Sequence, residues 1–576
     1  MMNNIHPGLV LLVIAFIVTF LPQSLRRIML IFGPLLAGVA FLQLEPGTNL
    51  TTVAMGSYVI NYLYVDKLNI LFGIIICVLS LISSMFTYHN GNKKLIMSML
   101  ATAGGAFGVL FSKDWISFLF SWEFMIVAST FMIWSRQIDK ARRAGLRYLI
   151  LHMIAANLLL EAVFVNAFDG NIMMTPITET YTELYWLLLL FFAVSAALFP
   201  FHAWVPDSCS ESTLTGSVVL SSYVPMCAIY SMIRVFCGQE VLLYLGSITA
   251  IYSALRALLS NDIRRILSYS ISAQLGIATV MVGVGSELAL NAVVALAFAA
   301  VFGNAVLFMA GVMIIKALGG EQRLSHVGNM AKYEPIVAIC FLIGGLTVSA
   351  MPLFGGFTGF IWGYTAVAAL QNKIISVMLI IAQAGIFCAI VMRTFYFMFY
   401  SDNKGVKIGD SIPGNTYLPL VLCAAVCLML GIFPGLVIDK YPFADIREVF
   451  TLSNILFVVG MLSATGVMAR LLNKMLIPRV GLLLDTDWIY RSIADLFITQ
   501  GSHLLCALCS ALGSAWKMLY EKFMELTSNP MEFLDARPFR VNKKYNPENY
   551  RTSIADPMMI TLTVLTFAIG YFVTSM

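Results

Sequence analysis

The 576 residues are 60% hydrophobic and only 11% charged, with a mean hydropathy of +0.86, against roughly 45–50% and 25% in soluble domains. Such a composition excludes a soluble globular enzyme and describes a polytopic membrane protein. The formal net charge of +5 is too small to select a polyanionic partner, and no nucleic-acid partner is expected.

In chain order, about sixteen apolar runs approach the roughly 20 residues that a helix needs to cross a bilayer core. They lie near 7–24, 28–43, 64–88, 95–112, 114–134, 147–168, 184–204, 213–236, 241–260, 266–285, 290–318, 334–353, 357–400, 416–437, 451–472 and 556–574, with 357–400 long enough for one tilted span or two short ones. The first run leads into Arg26 and Arg27 with no small-residue cleavage site, and reads as a retained helix rather than a signal peptide. The ten cysteines are scattered, without the paired spacing of a zinc or iron–sulfur site. Cys506 and Cys509 form a lone CxxC that reads as small apolar packing.

Basic residues mark one face. Arg26/Arg27, Lys93/Lys94, the cluster Arg136, Lys140, Arg142, Arg143 and Arg147, then Arg264/Arg265 and Lys316/Arg323 follow odd-numbered spans, whereas Glu45, Asp169, Glu179, Glu183, Glu240 and Glu287 follow even-numbered ones. Lys and Arg concentrate on the cytoplasmic side, so the N-terminus is expected outside. Two spans are interrupted alike: ALFPFHAWVPD carries Pro200 and Pro206, and SAMPLFGGFTGF carries Pro352, Gly355 and Gly356. Proline removes a backbone donor, and freed backbone groups survive at membrane depth only where protein or a water-filled cavity satisfies them. Pro352 follows Pro200 by 152 residues, about five spans, which reverses the orientation and predicts inverted repeats around a transport path.

Six stretches carry a resemblance. YVDKLNILF, SWEFM around Glu123, FPFHAWVPDSCSES, ALLSNDIRRILSYSISAQLG, RLSHVGNM and PLFGGFTGF, in order from about residue 60 to 365, resemble the antiporter-like proton-channel subunits of respiratory complex I, Mrp-type cation/proton antiporters and membrane-bound hydrogenases. The resemblance implies an all-α polytopic fold of about 14–16 transmembrane helices with two inverted five-helix repeats and broken helices, in a prokaryotic plasma membrane. The segments then divide into 1–94 (N-terminal helices), 95–236 and 241–400 (the repeats), 416–472 (C-terminal core helices), 475–550 (an amphipathic helix, either lateral or a soluble-facing stalk, with its connector) and 556–576 (a final span). It also implies other membrane subunits as partners, and proton or sodium translocation.

For Glu123 the resemblance implies an ion pair with a lysine of the broken helix and a relay of further lysines. This chain departs from that pattern. The lysine positions align with Ser195, Met226, Asn304 and Phe360, and a family histidine with Ala300. Serine and asparagine can order water but hold no proton at neutral pH. Glu123 is therefore expected to be neutral and hydrogen-bonded through Ser195 or water, either on an ion path or as a structural acid.

The remaining candidates are Glu161 as a second acid, His152, and His202, Asp207 and Glu211 at the mouth of the first break. His152 and Glu161 stand nine residues apart, about 900° of helical rotation, and so face opposite ways. Asp262, Arg264 and Arg265 read as a salt-bridged interface. No nucleotide loop, nucleophile elbow or metal cluster is legible, so no cofactor is expected in this chain; its place as a subunit of an ion-translocating oxidoreductase stays open. Beyond Leu472, LLLDTDWIYRSIADLF opens a stretch of about 40 residues that would reach roughly 60 Å as a helix and resembles the family's lateral helix. The competing functions are a membrane scaffold without an ion path, and an independent secondary transporter.

Overall fold

The computed structural model describes residues 5–54, 58–168, 172–177, 182–402, 412–438, 440–479, 481, 485–528, 559 and 561. It separates into two units, Met1–Asp487 and Trp488–Met576.

Helices α1 (Pro7–Val18) and α2 (Gln23–Leu42) open the first unit. A short antiparallel hairpin follows, β1 (Asn49–Ala54) and β2 (Tyr58–Tyr64), with Asn49 opposite Tyr64. The sequence reading placed no strand there; the hairpin is the polar link between two spans and leaves the fold essentially all-helical. Then come α3 (Lys67–Thr87), α4 (Lys93–Phe111), α5 (Trp115–Trp134), α6 (Asp139–Phe168) and α7 (Glu183–Ser195). Polar caps set their starts: Asp66 and Asn69 close a capping box on α3, and Asp114 accepts from the Ser117 amide on α5.

After the first break the chain makes a 3-10 turn at Phe201–Ala203 and continues as α8 (Trp204–Glu211), α9 (Gly216–Leu220), α10 (Tyr223–Val235), α11 (Val241–Leu259), α12 (Ile263–Val284), α13 (Glu287–Ala317) and α14 (Pro335–Val348). Past the second break lie α15 (Gly356–Ala369) and α16 (Lys373–Phe387), a π-helical turn Cys388–Phe395, α17 (Tyr396–Phe399), α18 (Tyr417–Ile432), α19 (Gly435–Ile438), α20 (Leu452–Leu471) and α21 (Asn473–Leu476). Helices α11 and α12 approach backbone to backbone: a Cβ on Gly246 would lie 2.7 Å from the Gly276 carbonyl. Small residues permit this contact, which drives helix association where lipid offers no hydrophobic contrast.

Among the described residues, 12 helical stretches are long and apolar enough to span a bilayer, and Pro7–Val18, Glu183–Ser195 and Pro335–Val348 are shorter apolar helices. The run 357–400 resolves into two elements, α15 and the continuous α16–α17 stretch. The run 556–574 lies outside the described residues.

Both breaks are the same backbone device. Helix α7 ends with the Leu198 amide donating to the Ala193 carbonyl (2.8 Å) and the Ala197 amide to Val194 (3.1 Å); α14 ends with Met351 to Leu346 (3.0 Å) and Ala350 to Thr347 (3.2 Å). This is the Schellman closure, which needs a left-handed residue just past the helix. Here that residue is alanine in both cases, Ala197 at φ 54° and Ala350 at φ 58°. Pro200 and Pro352 follow the reversal rather than make it, and Gly356 starts the helix after the second break.

The second unit is described through α22 (Asp487–Ser528), 42 residues and about 63 Å long. Leu508, Leu512, Trp516, Leu519 and Phe523 are exposed along it. Cys506 and Cys509 are also exposed and unbridged, so the packing expected of them is not made within the described residues.

Candidate functional site

A cavity of ≈ 50 Å³ lies between α10, α12, α13 and the second break, enough for a few water molecules. Its polar lining is Ser221, Ser222, Gln274, Asn304, Thr347 and Gln383, with no titratable side chain. Asn304 and Gln274 hold each other in a reciprocal amide pair, each N–H···O contact 3.2 Å. Three of the positions aligned with the family's lysines and histidine, Met226, Ala300 and Asn304, converge on this cavity; buried Phe360 and Ser195 do not line it. The Gln383 amide donates to the Val348 carbonyl (2.9 Å), which the end of α14 leaves free. At the first break, Trp204 Nε1 donates to the Val194 carbonyl (2.8 Å) and the Phe199 amide to Thr249 Oγ1 (2.8 Å). Side chains of neighbouring elements thus satisfy backbone groups that lipid could not.

The expected pairing of Glu123 is absent. Glu123 is half-buried on α5, at the edge of the outward face of Phe120, Phe124 and Val127, and makes no hydrogen bond or ion pair among the described residues. The Ser195 hydroxyl is buried without a hydrogen-bond partner among the described residues. Glu161 is exposed on α6 beside outward Ile154 and Phe164, while His152 is fully buried on the opposite side, as nine residues of helix require. The Nδ1 of His152 lies 3.0 Å from the Tyr148 carbonyl, and the ring meets Trp204 edge-on at 4.7 Å; this histidine joins α6 to α8. Neither acid reaches the cavity lining.

The acids at the mouth of the break are clamped. Asp207 takes a bidentate pair from Arg147 at 2.8 and 2.9 Å, and Glu211 pairs with Arg136 at 3.2 Å. The basic loop cluster therefore ties α5 and α6 to α8. The trio Asp262, Arg264 and Arg265 needs a correction: none of the three forms an ion pair among the described residues. Asp262 caps α12 by accepting from the Arg265 amide (3.1 Å). Arg264 is buried and donates to the carbonyls of Cys209 (2.5 Å) and Ser212 (2.9 Å), closing the C-terminus of α8, where free carbonyls collect negative partial charge.

Two networks escaped the sequence reading. Asp66 of YVDKLNILF pairs with Arg234 at 2.5 Å, linking α3 to α10. Asp485, just ahead of α22, is turned into the first unit. Its carboxylate accepts from Tyr252 (2.8 Å) and from Tyr269, and lies 3.4 Å from His202 Nε2 and 3.7 Å from Arg256 Nη2. Burial pushes this acid up, but His202 and the two tyrosine hydroxyls outweigh it and hold the carboxyl well below the usual range. The signal available was an aspartate directly after three leucines, Leu482–Leu484, which calls for a buried partner.

A sequence model of the family described as NADH:quinone oxidoreductase/Mrp antiporter, TM, matches residues 112–399. The NADH-quinone oxidoreductase subunit M of Pseudomonas aeruginosa is 25% identical over 419 residues, covering 66% of this chain and 80% of its own. A chain of the Mrp complex from Dietzia sp. superposes with a TM-score of 0.73 at 18% identity, over 98% of this chain and 66% of that one, so this chain spans about two thirds of its length. A chain of NADH-bound respiratory complex I from Thermus thermophilus gives 0.67 at 19% identity, over 79% of this chain and 99% of that one. The matched stretch is half of this sequence and runs from ahead of α5 to the end of α17, so the chain belongs to the NADH:quinone oxidoreductase/Mrp antiporter transmembrane family.

Proposed function

We propose that this chain is an antiporter-like transmembrane subunit of a complex I-related or Mrp-like assembly and moves protons, or sodium, through water held in the neutral cavity at Asn304 and Gln274. The observation that carries this reading is the pair of identical helix closures, one of which opens onto that cavity. Amides and hydroxyls order water and offer oxygen to a hard cation without a fixed charge. In this reading 95–236 and 241–400 are inverted repeats, the basic loops face the cytoplasm and the N-terminus lies outside. An acid such as Glu123 on a lipid-facing edge costs at least about 2.5 kcal/mol at the bilayer centre, which supports a neighbouring subunit against α5.

Reconstitution of the complex with Asn304→Leu and Gln274→Leu together is expected to lower ion flux at least tenfold while assembly persists. Flux unchanged in that variant, and in Glu123→Gln and Glu161→Gln, would favour the scaffold reading. That second reading draws on one observation: no titratable group lines the cavity, and both acids stand outside it.

A further inference from the structure

An open recess of ≈ 1300 Å³ on the face carrying Arg136 and Arg323 is lined in part by Arg256 and Tyr269. Behind those two groups sits Asp485, its side chain 6% exposed. Arg256 Nη2 lies 3.4 Å from the Tyr269 hydroxyl, and that hydroxyl donates to Oδ2 of Asp485. On the far side of the carboxylate, 3.4 Å from Oδ1, stands His202 Nε2. The His202 imidazole is fully buried, with Nε2 turned to the carboxylate and Nδ1 without a hydrogen bond among the described residues. Tyr252 meets it edge-on at 4.9 Å, and Phe199 stacks on it at 6.0 Å. Thr486, next to Asp485, donates its hydroxyl to the Pro200 carbonyl (3.1 Å), so this short segment reaches the backbone of the first break itself.

We propose that His202 and Asp485 form a proton-exchange site that joins the recess to the first helix break. A carboxylate needed only for packing is already satisfied here by two tyrosine hydroxyls and the Thr486 amide (2.7 Å). An imidazole whose Nδ1 has no partner is a costly way to fill apolar space, while its Nε2 faces a carboxylate that can hand it a proton. Among the described residues, the charged and titratable groups around His202 are Asp485 on the segment ahead of α22, Arg256 and Tyr252 on α11, and Tyr269 on α12. Of these, Asp485 and Arg256 carry opposite charges, and a proton on His202 adds one positive charge to the pair. In the transfer, a hydronium ion in the recess gives a proton to the Tyr269 hydroxyl oxygen and becomes water, while that hydroxyl passes its own proton to Oδ2 of Asp485. The carboxyl then turns to present the protonated oxygen to Nε2 of His202, where the O–H bond breaks and an N–H bond forms, and nothing is oxidised or reduced.

The test is nitrogen NMR of the full chain labelled at histidine, with the His202 signal identified by its loss in His202→Gln. The expected result is that Asp485→Asn moves the pH response of the His202 signal by one pH unit or more, and that Tyr269→Phe slows proton exchange at the ring at least tenfold. Should Asp485→Asn melt early, Asp485→Glu and Tyr269→Phe carry the same comparison. A His202 that stays neutral from pH 4 to 9, or a midpoint indifferent to residue 485, overturns the proposal. The readout does not depend on ion flux, so it can fail while transport through the Asn304 cavity stands, and the reverse.

Discussion

The first break, at 196–203, and the second, at 349–355, share their backbone hydrogen bonds and differ in everything that surrounds them. Around the first, charge is dense: Arg147–Asp207, Arg136–Glu211, the Arg264 cap and the His202–Asp485 cluster. Around the second the polar groups are neutral, with Gln383, Thr347 and the Asn304–Gln274 pair beside the cavity. The backbone solution to a broken helix is thus independent of the chemistry placed on it. A left-handed residue and two amide bonds close the helix end, and neighbours are then free to bring charges or amides.

The largest test of the comparison is steric. Six residues past its left-handed alanine the first break carries Ala203, and the second carries Gly356, where an added Cβ would collide with the Thr347 carbonyl. Gly356→Ala should cost about 3 kcal/mol, the upper range for overpacking, whereas Ala203→Gly should cost no more than ~1 kcal/mol. Thermal melting of the purified chain in detergent distinguishes them, and equal effects would break the distinction. Next, Arg147→Met takes the bidentate partner from Asp207, whose side chain is 10% exposed. A loss of ~2–3 kcal/mol is expected, discounted from a fully buried pair because Arg147 is partly solvated. Asp207→Asn in the same background should restore part of the melting temperature; no recovery would show that the pair is not what binds α6 to α8.

Trp204→Phe removes the second donor to the Val194 carbonyl, which keeps the Ala197 amide, and Gln383→Leu removes the donor to the freed Val348 carbonyl, one change per break. About 1–2 kcal/mol apiece is expected, and a much larger loss at only one break would mean that the two closures are not energetically alike. Ala197→Gly and Ala350→Gly probe the closures directly. Relief of left-handed strain of roughly 1–2 kcal/mol is set against ~0.4–1 kcal/mol of added unfolded-chain entropy, so both should move melting slightly upward and by the same amount. Opposite signs would sink the equivalence. Smallest is a pH effect away from both breaks. Burial, then Lys316 and Arg27, lower the pKa of His89, so the folded state favours the neutral ring. Its contribution is present above the unfolded value of about 6.5 and is lost as pH falls below it. His89→Gln should flatten that part of the stability profile, and an unchanged slope would rule His89 out as its source.

Some of the site was legible in the chain. The resemblance aligned Ser195, Met226, Ala300, Asn304 and Phe360 with the family's relay positions, and the structure gathers Met226, Ala300 and Asn304, but not the other two, at one cavity. The opposed faces of His152 and Glu161 followed from helical rotation alone. The facing of Glu123 was not legible: α5 is apolar on every side, and because lipid and protein neighbours are equally apolar, periodicity in a membrane helix does not say which side looks inward. The salt-bridged reading of Asp262, Arg264 and Arg265 failed for a related reason. Sequence shows that a buried arginine needs acceptors, but not whether carboxylates or helix-end carbonyls supply them.

By itself the sequence determined the spans, the two interrupted helices and the basic face, since each rests on local properties: hydropathy summed over about 20 residues, proline and glycine at fixed points, and loop charge. Only the tertiary structure decided which polar groups meet. Asp485 reaches His202, Gln274 reaches Asn304 and Arg234 reaches Asp66 because each is largely withdrawn from bulk solvent, where a lone charge or amide is costly. Each must therefore find a partner wherever the fold brings one within bonding distance.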